Sequence, residues 1–278
     1  MKIISLVPSI TESLFDLGLG SDVVGVTDYC VLPDDAHEEI PKVGGPKKLD
    51  LEKIRAIKPD IIFANQEENA RGDIQFLIDS EINVKLFFPK TPRNVISDLY
   101  DLLGICGNLD LIEVIRALEK SLEWVEAAHE DRPIFRYFCP IWVGKHEQAG
   151  DWWMTFNQDT YPAALLKIFR GENIFAARAR KYPLNADLGY GESEPAGERD
   201  TRYPCITGAE ISQNIPDIIL IPDEPYSYNL QQIDQILDLF REAALPLPKV
   251  VSVDGSLLFW PGTRLAKALI ELPELLES

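Results

Sequence analysis

The chain has 278 residues, 46% of them hydrophobic and 26% charged, the composition of an ordinary globular protein rather than a disordered or fibrous one. Its 27 basic residues against 45 acidic ones leave a formal charge of −18, and a chain this acidic is repelled by nucleic-acid phosphates and anionic lipid. No nucleic-acid partner is expected, and no direct membrane insertion either, since no window approaches the roughly 18 consecutive apolar residues of a spanning helix.

Ile3 to Val7 reads as a strand ending at Pro8, and Ser9-Ile10-Thr11-Glu12 spells a capping box ahead of a helix carrying Leu14 and Leu17. Gly18 and Gly20 close that helix, Val23 to Thr27 is a second strand, and Asp50 offers an N-cap for a helix with Leu51, Ile54 and Ile57 that Pro59 stops. Ile61 to Ala64 is a third strand, Ile74 to Ile78 falls in a helix, and Val84 to Phe88 is a fourth strand. This alternation predicts a mostly parallel sheet covered on both faces. After Thr91-Pro92 the pattern is helical only: Val95, Leu99 and Leu102 mark one helix, and Leu111, Ile115, Leu118, Leu122 and Val125 a longer one. Run from Asn108 to His129, the longer helix would span about 33 Å, a stiff rod between two lobes. The expected architecture is therefore α/β, two lobes joined by one long backbone helix. The boundaries are 1–106 for the N-terminal lobe, 107–131 for the helix and 132–278 for the C-terminal lobe.

Beyond Pro133 a weak internal repeat appears. Pro59-Asp60-Ile61-Ile62 recurs as Pro216-Asp217-Ile218-Ile219, the cap Asp50 matches Thr207 with Glu210 completing a capping box, and Glu67 matches Glu224, all displaced by 157 residues. In a parallel sheet the ligand crevice lies outside the carboxyl ends of the strands, where Glu67 and Glu224 both fall. They are either paired docking points for a basic partner or two solvated acids.

Trp142, Trp152, Trp153, Phe156 and Tyr161 crowd a segment of poor periodicity, which suits a flat apolar wall for a planar ligand or a cluster packed beneath a loop. Asp159 reads as the cap of the following helix. Trp260 to Arg264 opens the last helix after the strand Val250 to Val253, and the Arg264 guanidinium could bind an anionic edge or lie idle on the surface. At the first helix, free amides near Ser9 could bind an anion, although the capping box would satisfy some of them. The segment from Arg178 to Arg202 is a lid or a mobile loop, with composition favouring mobility.

The four cysteines lie at least 33 residues apart, which excludes a CxxC pair and predicts small buried hydrophobes. The three histidines, His37, His129 and His146, have no metal-ligand neighbours at useful spacing, and no hydrolase, P-loop or dinucleotide motif is present. No enzyme, no resident cofactor and no bare metal site are expected. Ile3 to Val7 is too short for the apolar part of a signal peptide. As written the chain is expected in the cytoplasm, or in the periplasm or another extracytoplasmic space if an export signal lies upstream.

Taken together, Ser5-Leu6-Val7-Pro8-Ser9 with Thr11-Glu12, Lys42-Val43-Gly44-Gly45, Lys58-Pro59-Asp60, Glu67-Glu68-Asn69, Asp159-Thr160-Tyr161, Pro222-Asp223-Glu224-Pro225-Tyr226 and Trp260 to Arg264 form a pattern. It resembles the solute-binding proteins of ABC importers whose lobes are joined by one backbone helix, in the branch that binds cobalamin and other metal chelates. The resemblance runs nearly end to end. It implies a monomer that takes a metal chelate, foremost a cobalamin-like corrinoid, into a cleft between the lobes and delivers it to an ABC permease dimer. By motif neighbourhood it assigns ligand contact to Ser9, Tyr29, Asn65, Trp142, Trp152, Trp153, Tyr161, Tyr226, Trp260 and Arg264, and permease docking to Glu67 or Glu68 and Glu224. A siderophore or haem receptor, and a cytoplasmic corrinoid- or tetrapyrrole-binding or sensing module without a permease, are the alternative expectations.

Overall fold

The computed structural model describes residues 1–30 and 39–277; His37 lies outside them. The chain forms two compact units, Met1–Ser121 with Trp260–Lys267, and Leu122–Phe259 with Ala268–Ser278.

The first unit runs β1 (Ile3–Ser5), α1 (Pro8–Asp16), β2 (Val23–Val26), the two-residue strands β3 (Gly44–Gly45) and β4 (Lys48–Leu49), α2 (Leu51–Ile57), β5 (Ile61–Asn65), α3 (Arg71–Asp79), β6 (Val84–Phe87) and α4 (Pro92–Cys106). Its main sheet has the order β2-β1-β5-β6, every pair parallel. All five residues of β5 are buried, as a parallel strand covered on both faces requires. Ile62 and Ala64 join Ile4, Ile54, Ile74 and Leu77 in one core layer. Phe63, one step along and so on the opposite face, stacks on Phe87 at 5.8 Å.

The helix starts follow local chemistry. Asp50 accepts the Lys53 amide at 3.0 Å. Thr91 accepts that of Asn94 at 3.1 Å with Pro92 behind it, and Gly107 at φ +70° ends α4. The capping box expected at Ser9 to Glu12 does not form. Pro8 takes the first helical position and moves the cap back to Val7, which has no capping side chain. Thr11 Oγ1 then donates back to the Val7 carbonyl at 3.0 Å.

The long helix α5 covers Ile112–His129, with Leu109–Leu111 wound as a 3-10 turn before it. Its 18 residues make a rod of about 27 Å rather than 33 Å. Ile115, Leu118 and Leu122 form its buried stripe. The boundary between the units falls inside this unbroken helix, between Ser121 and Leu122.

The second unit runs β7 (Phe135–Phe138), β8 (Trp142–His146), β9 (Gly150–Met154), α6 (Tyr161–Ile168), β10 (Gly171–Asn173), α7 (Leu184–Asp187), β11 (Cys205–Thr207), α8 (Gly208–Gln213), β12 (Ile218–Pro222), α9 (Leu230–Glu242), β13 (Lys249–Val253) and α10 (Gly255–Phe259). The last helix, α11 (Leu265–Glu277), begins in the first unit and ends in the second. The main sheet, β10-β7-β12-β13, is again parallel and repeats the strand order of the first unit. β5 and β12 start and end 157 residues apart, and α2 and α8 start at the same offset, so the duplication read from a few residues extends to whole elements. The predicted Thr207–Glu210 capping box is present in full.

Two features of this unit depart from expectation. The aromatic segment is a strand pair, not an irregular loop: β8 and β9 are antiparallel and β11 extends them into a three-stranded sheet. Gly144 is the reason the tryptophans fit, since a Cβ there would lie 2.3 Å from Trp152 Cζ2, so the indole covers the bare glycine backbone across the strand pair. Asp159 is not a cap. The cap is Thr160, and the Asp159 amide instead donates to Asn157 Oδ1 at 2.9 Å.

Candidate binding surfaces

In the first unit the residues after β1 and β5 meet at the carboxyl ends of the strands. Asn69 ties them together: its Oδ1 accepts the Asn65 amide at 2.8 Å, and its Nδ2 donates to the carbonyls of Leu6 at 3.1 Å and Pro46 at 3.3 Å. Asn65, expected to contact ligand, is 4% exposed, and its Oδ1 accepts the Glu67 amide at 2.7 Å. Its side-chain oxygen therefore shapes the turn that carries Glu67 and Glu68, and Lys47 Nζ fixes the same turn at the Glu67 carbonyl, 2.7 Å away. Tyr29 is 65% exposed and its ring rests over Gly45, so its face is available.

Trp260–Lys267, expected within 132–278, belongs instead to the first unit. Arg264 Nε donates to Glu12 Oε2 at 3.0 Å and its Nη2 to Glu12 Oε1, a two-point pair whose side chains are 10% and 13% exposed. Thr263 bonds Asp16 Oδ2 at 2.6 Å and its amide donates to Ser13 Oγ at 3.1 Å. A Cβ on Gly262 would lie 2.3 Å from Ser13 Oγ and 3.0 Å from the Ser9 carbonyl, so only glycine permits this contact. The Arg264 guanidinium, read as a partner for a ligand anion, is thus committed to Glu12, and its charge also sits 5.5 Å from the Trp260 ring. Burial pushes the Glu12 carboxyl up while Arg264 opposes it.

Beside these residues lies a small cavity of about 20 Å³, lined among others by Ile10, Ser13, Asn65, Asp98 and Gly262. Asp98 Oδ2 is buried there with no hydrogen-bond partner among the described residues, and burial pushes its carboxyl up to about 6. The sequence gives no hint of this, since Asp98 looks like one more acid on an amphipathic helix.

In the second unit the aromatic residues separate into two groups. Trp142, 46% exposed, packs edge to face on Tyr226 at 5.0 Å, and Tyr226 on Tyr228 at 4.9 Å. Gln232 Nε2 donates to Tyr226 Oη at 2.6 Å and fixes the middle ring. Sequence reasoning misses Tyr228, although its spacing of two from Tyr226 just after a strand is the pattern that would reveal it. The other group is core. Trp153, 2% exposed, packs with Phe138, Ile206 and Phe240; Trp152 lies against Leu188 and Cys205; Tyr161 is 3% exposed. These three rings are withheld from solvent. A groove of roughly 900 Å³ is lined by Tyr228, Asn229, Leu230, Ser252 and Asp254 among others, and includes neither Trp142 nor Tyr226.

Glu224 stands two residues beyond β12, as Glu67 does beyond β5, but it is held differently. Asp223 Oδ1 accepts the Gly255 amide at 2.8 Å, and a Cβ on Gly255 would lie 2.5 Å from Glu224 Cγ and 2.7 Å from its carbonyl oxygen. Glu67, Glu68 and Glu224 are all partly buried.

Among the described residues the thiols are buried or half-buried and both histidines are hydrogen-bonded. Cys30, Cys139 and Cys205 are buried and Cys106 half-buried, none in a disulfide. Burial pushes the Cys106 thiol up to about 11, that of Cys205 to about 12 and those of Cys30 and Cys139 upward, which withholds the thiolate. His129 bonds the Val125 carbonyl, and His146 bonds Asn185 while stacking on Tyr190. Among the described residues no three acidic, histidine or cysteine side chains are grouped to hold a metal ion, and no helix is long and apolar enough to cross a membrane. The 178–202 segment is anchored at its base: Arg178 reaches Asp187 at 2.9 Å and Glu210 at 3.1 Å, and the fully buried Asp187 carboxylate accepts the Cys205 amide at 2.7 Å.

Residues 3–127 match the family of periplasmic binding proteins. The chain is similar to the vitamin B12-binding protein of Vibrio vulnificus, 24% identical over 66% of this chain and 64% of that one, so the match spans less than two thirds of that relative. It is also similar to an uncharacterized ABC transporter substrate-binding lipoprotein of Bacillus subtilis, 23% identical over 98% of this chain and 79% of the relative. Among solved structures, the periplasmic vitamin B12-binding protein of Vibrio cholerae superposes with a TM-score of 0.73 at 20% identity, covering 99% of this chain and 96% of that one. The periplasmic haem-binding protein of the same organism gives 0.72 at 17%, covering 100% and 99%. At these identities the structures share the fold.

Proposed function

We infer that this chain, which matches the periplasmic binding protein family over residues 3–127 and resembles the solute-binding proteins of ABC importers beyond them, is a non-catalytic receptor for a metal chelate. A cobalamin-like corrinoid is the ligand favoured. The observation that carries the reading is the ladder Trp142–Tyr226–Tyr228, a fixed aromatic surface with one half-exposed indole, suited to the flat apolar face of a macrocycle. Tyr29, exposed over Gly45, and Trp260 are the ligand contacts proposed in the first unit. The name of the Vibrio vulnificus relative supports corrinoid over haem or siderophore. That of the Bacillus subtilis relative supports delivery to an ABC permease and a place outside the cytoplasm. Glu67 or Glu68 and Glu224, at matched positions after matched strands, are proposed as the permease contacts.

Titrating the purified protein with cobalamin, cobinamide, haem and a ferric siderophore, while recording heat and visible absorbance, tests the reading. One saturable ligand is expected, with a rise in melting temperature that follows its concentration. No saturable binding of any of the four would overturn it.

A further inference from the structure

The first turn of α1 holds more donors than acceptors. Val7 caps the nine-residue helix with no side-chain hydrogen bond, Pro8 has no amide, and the first turn contains no acid. The amides of Ser9 and Ile10 precede the first intrahelical bond, which runs from the Thr11 amide to the Val7 carbonyl at 3.1 Å. That carbonyl is already saturated, since Thr11 Oγ1 at 3.0 Å and Ser5 Oγ at 3.3 Å also donate to it.

Ser9 supplies the independent observation. It is 2% exposed and its Oγ has no hydrogen-bond partner among the described residues. The Cα–Cβ bond of a helical residue leans toward the helix N-terminus, the end at which these two amides lie. A buried hydroxyl left without a partner is unfavourable, and here it adjoins the positive end of a helix dipole. The nearest acid along the helix, Glu12, is neutralised by Arg264 and does not oppose a second negative charge.

We propose that Ser9 Oγ with the amides of Ser9 and Ile10 forms an oxyanion site that receives a carboxylate or phosphate oxygen of the bound chelate. The inference rests on the chelate-receptor reading for its ligand but not for its test.

Orthophosphate added to the ¹⁵N-labelled protein should shift the Ser9 and Ile10 amide resonances saturably, and Ser9→Ala should weaken that response. In parallel, Ser9→Ala should lower affinity for haem, which carries carboxylates, or for cobalamin, which carries a phosphodiester, by about tenfold, the effect of one hydrogen bond to a charged group. It should leave haem dimethyl ester or cobinamide, which lack those groups, unaffected. The haem arm and the cobalamin arm identify which oxyanion is taken. Amides that do not respond to phosphate, or a Ser9→Ala protein that loses equally for the charged and uncharged ligands, would overturn the site. Should none of the chelates bind, the receptor reading falls while the phosphate titration still decides the anion site.

Discussion

Asp60 and Asp217 make the same two bonds in different units. The Asp60 carboxylate accepts the Lys2 amide at 2.7 Å while its own amide donates to the Lys2 carbonyl at 2.8 Å; Asp217 does both with Arg136 at the same distances. Each aspartate precedes its central strand and clamps the neighbouring one. Replacing either by alanine should cost about 1 kcal/mol, read as a lower urea midpoint at unchanged slope. An unmoved midpoint would mean that water does as well.

The Arg264–Glu12 pair makes a sharper prediction. Arg264→Ala strands a carboxylate that burial already pushes up and should cost about 2–4 kcal/mol near neutral pH. With its folded pKa above the ordinary value, Glu12 binds protons more readily folded than unfolded, so its contribution weakens as pH rises. The variant should therefore lose stability with rising pH more steeply than the parent protein. Urea titrations at several pH values check this.

Asp98 gives a second pH signature. Its folded pKa of about 6 against an ordinary 3.8 means that stability is lost as pH climbs from about 4 through 6. Asp98→Asn should flatten that slope and gain about 1 kcal/mol at pH 7, after allowance for screening on its solvent side. A slope that survives the substitution assigns it to another group.

The two kinds of tryptophan should separate cleanly. Trp142→Ala should change stability by less than about 1 kcal/mol yet weaken chelate binding about tenfold or more. Trp153→Ala should cost about 3–5 kcal/mol in unfolding free energy. Calorimetry paired with ligand titration of both variants is the measurement.

Gly255 should behave as a supporting residue for Glu224. Gly255→Ala forces a methyl into the Glu224 backbone and side chain and should cost about 1–3 kcal/mol. Charge reversal at Glu67, Glu68 and Glu224 should spare chelate affinity while abolishing association with a permease, measured by pull-down in detergent. Association that persists removes the docking assignment.

Much of the fold was legible because its signals are local. Asp50, Thr91-Pro92 and Thr207-Glu210 mark helix starts through bonds spanning three residues, and buried parallel strands show as apolar runs. Even the duplication reached the surface at Asp60 and Asp217. At the start of α1, Ser9 and Glu12 match a capping box in sequence, whereas Pro8 fixes the first turn ahead of them. The aromatic strand pair was hidden because its regularity depends on Gly144 lying opposite Trp152 rather than on alternation. Glu12 and Arg264 are 252 residues apart, and nothing local to either announces the other. For the same reason nothing local to Asn65, Trp152, Trp153 and Tyr161 announces that they are buried.

The return of Trp260–Lys267 to the first unit bears on synthesis. Glu12, Ser13 and Asp16 leave the ribosome about 250 residues before the partners they await. The first unit thus stays unfinished while the second is being made, and a truncation ahead of Trp260 would injure the unit encoded before it.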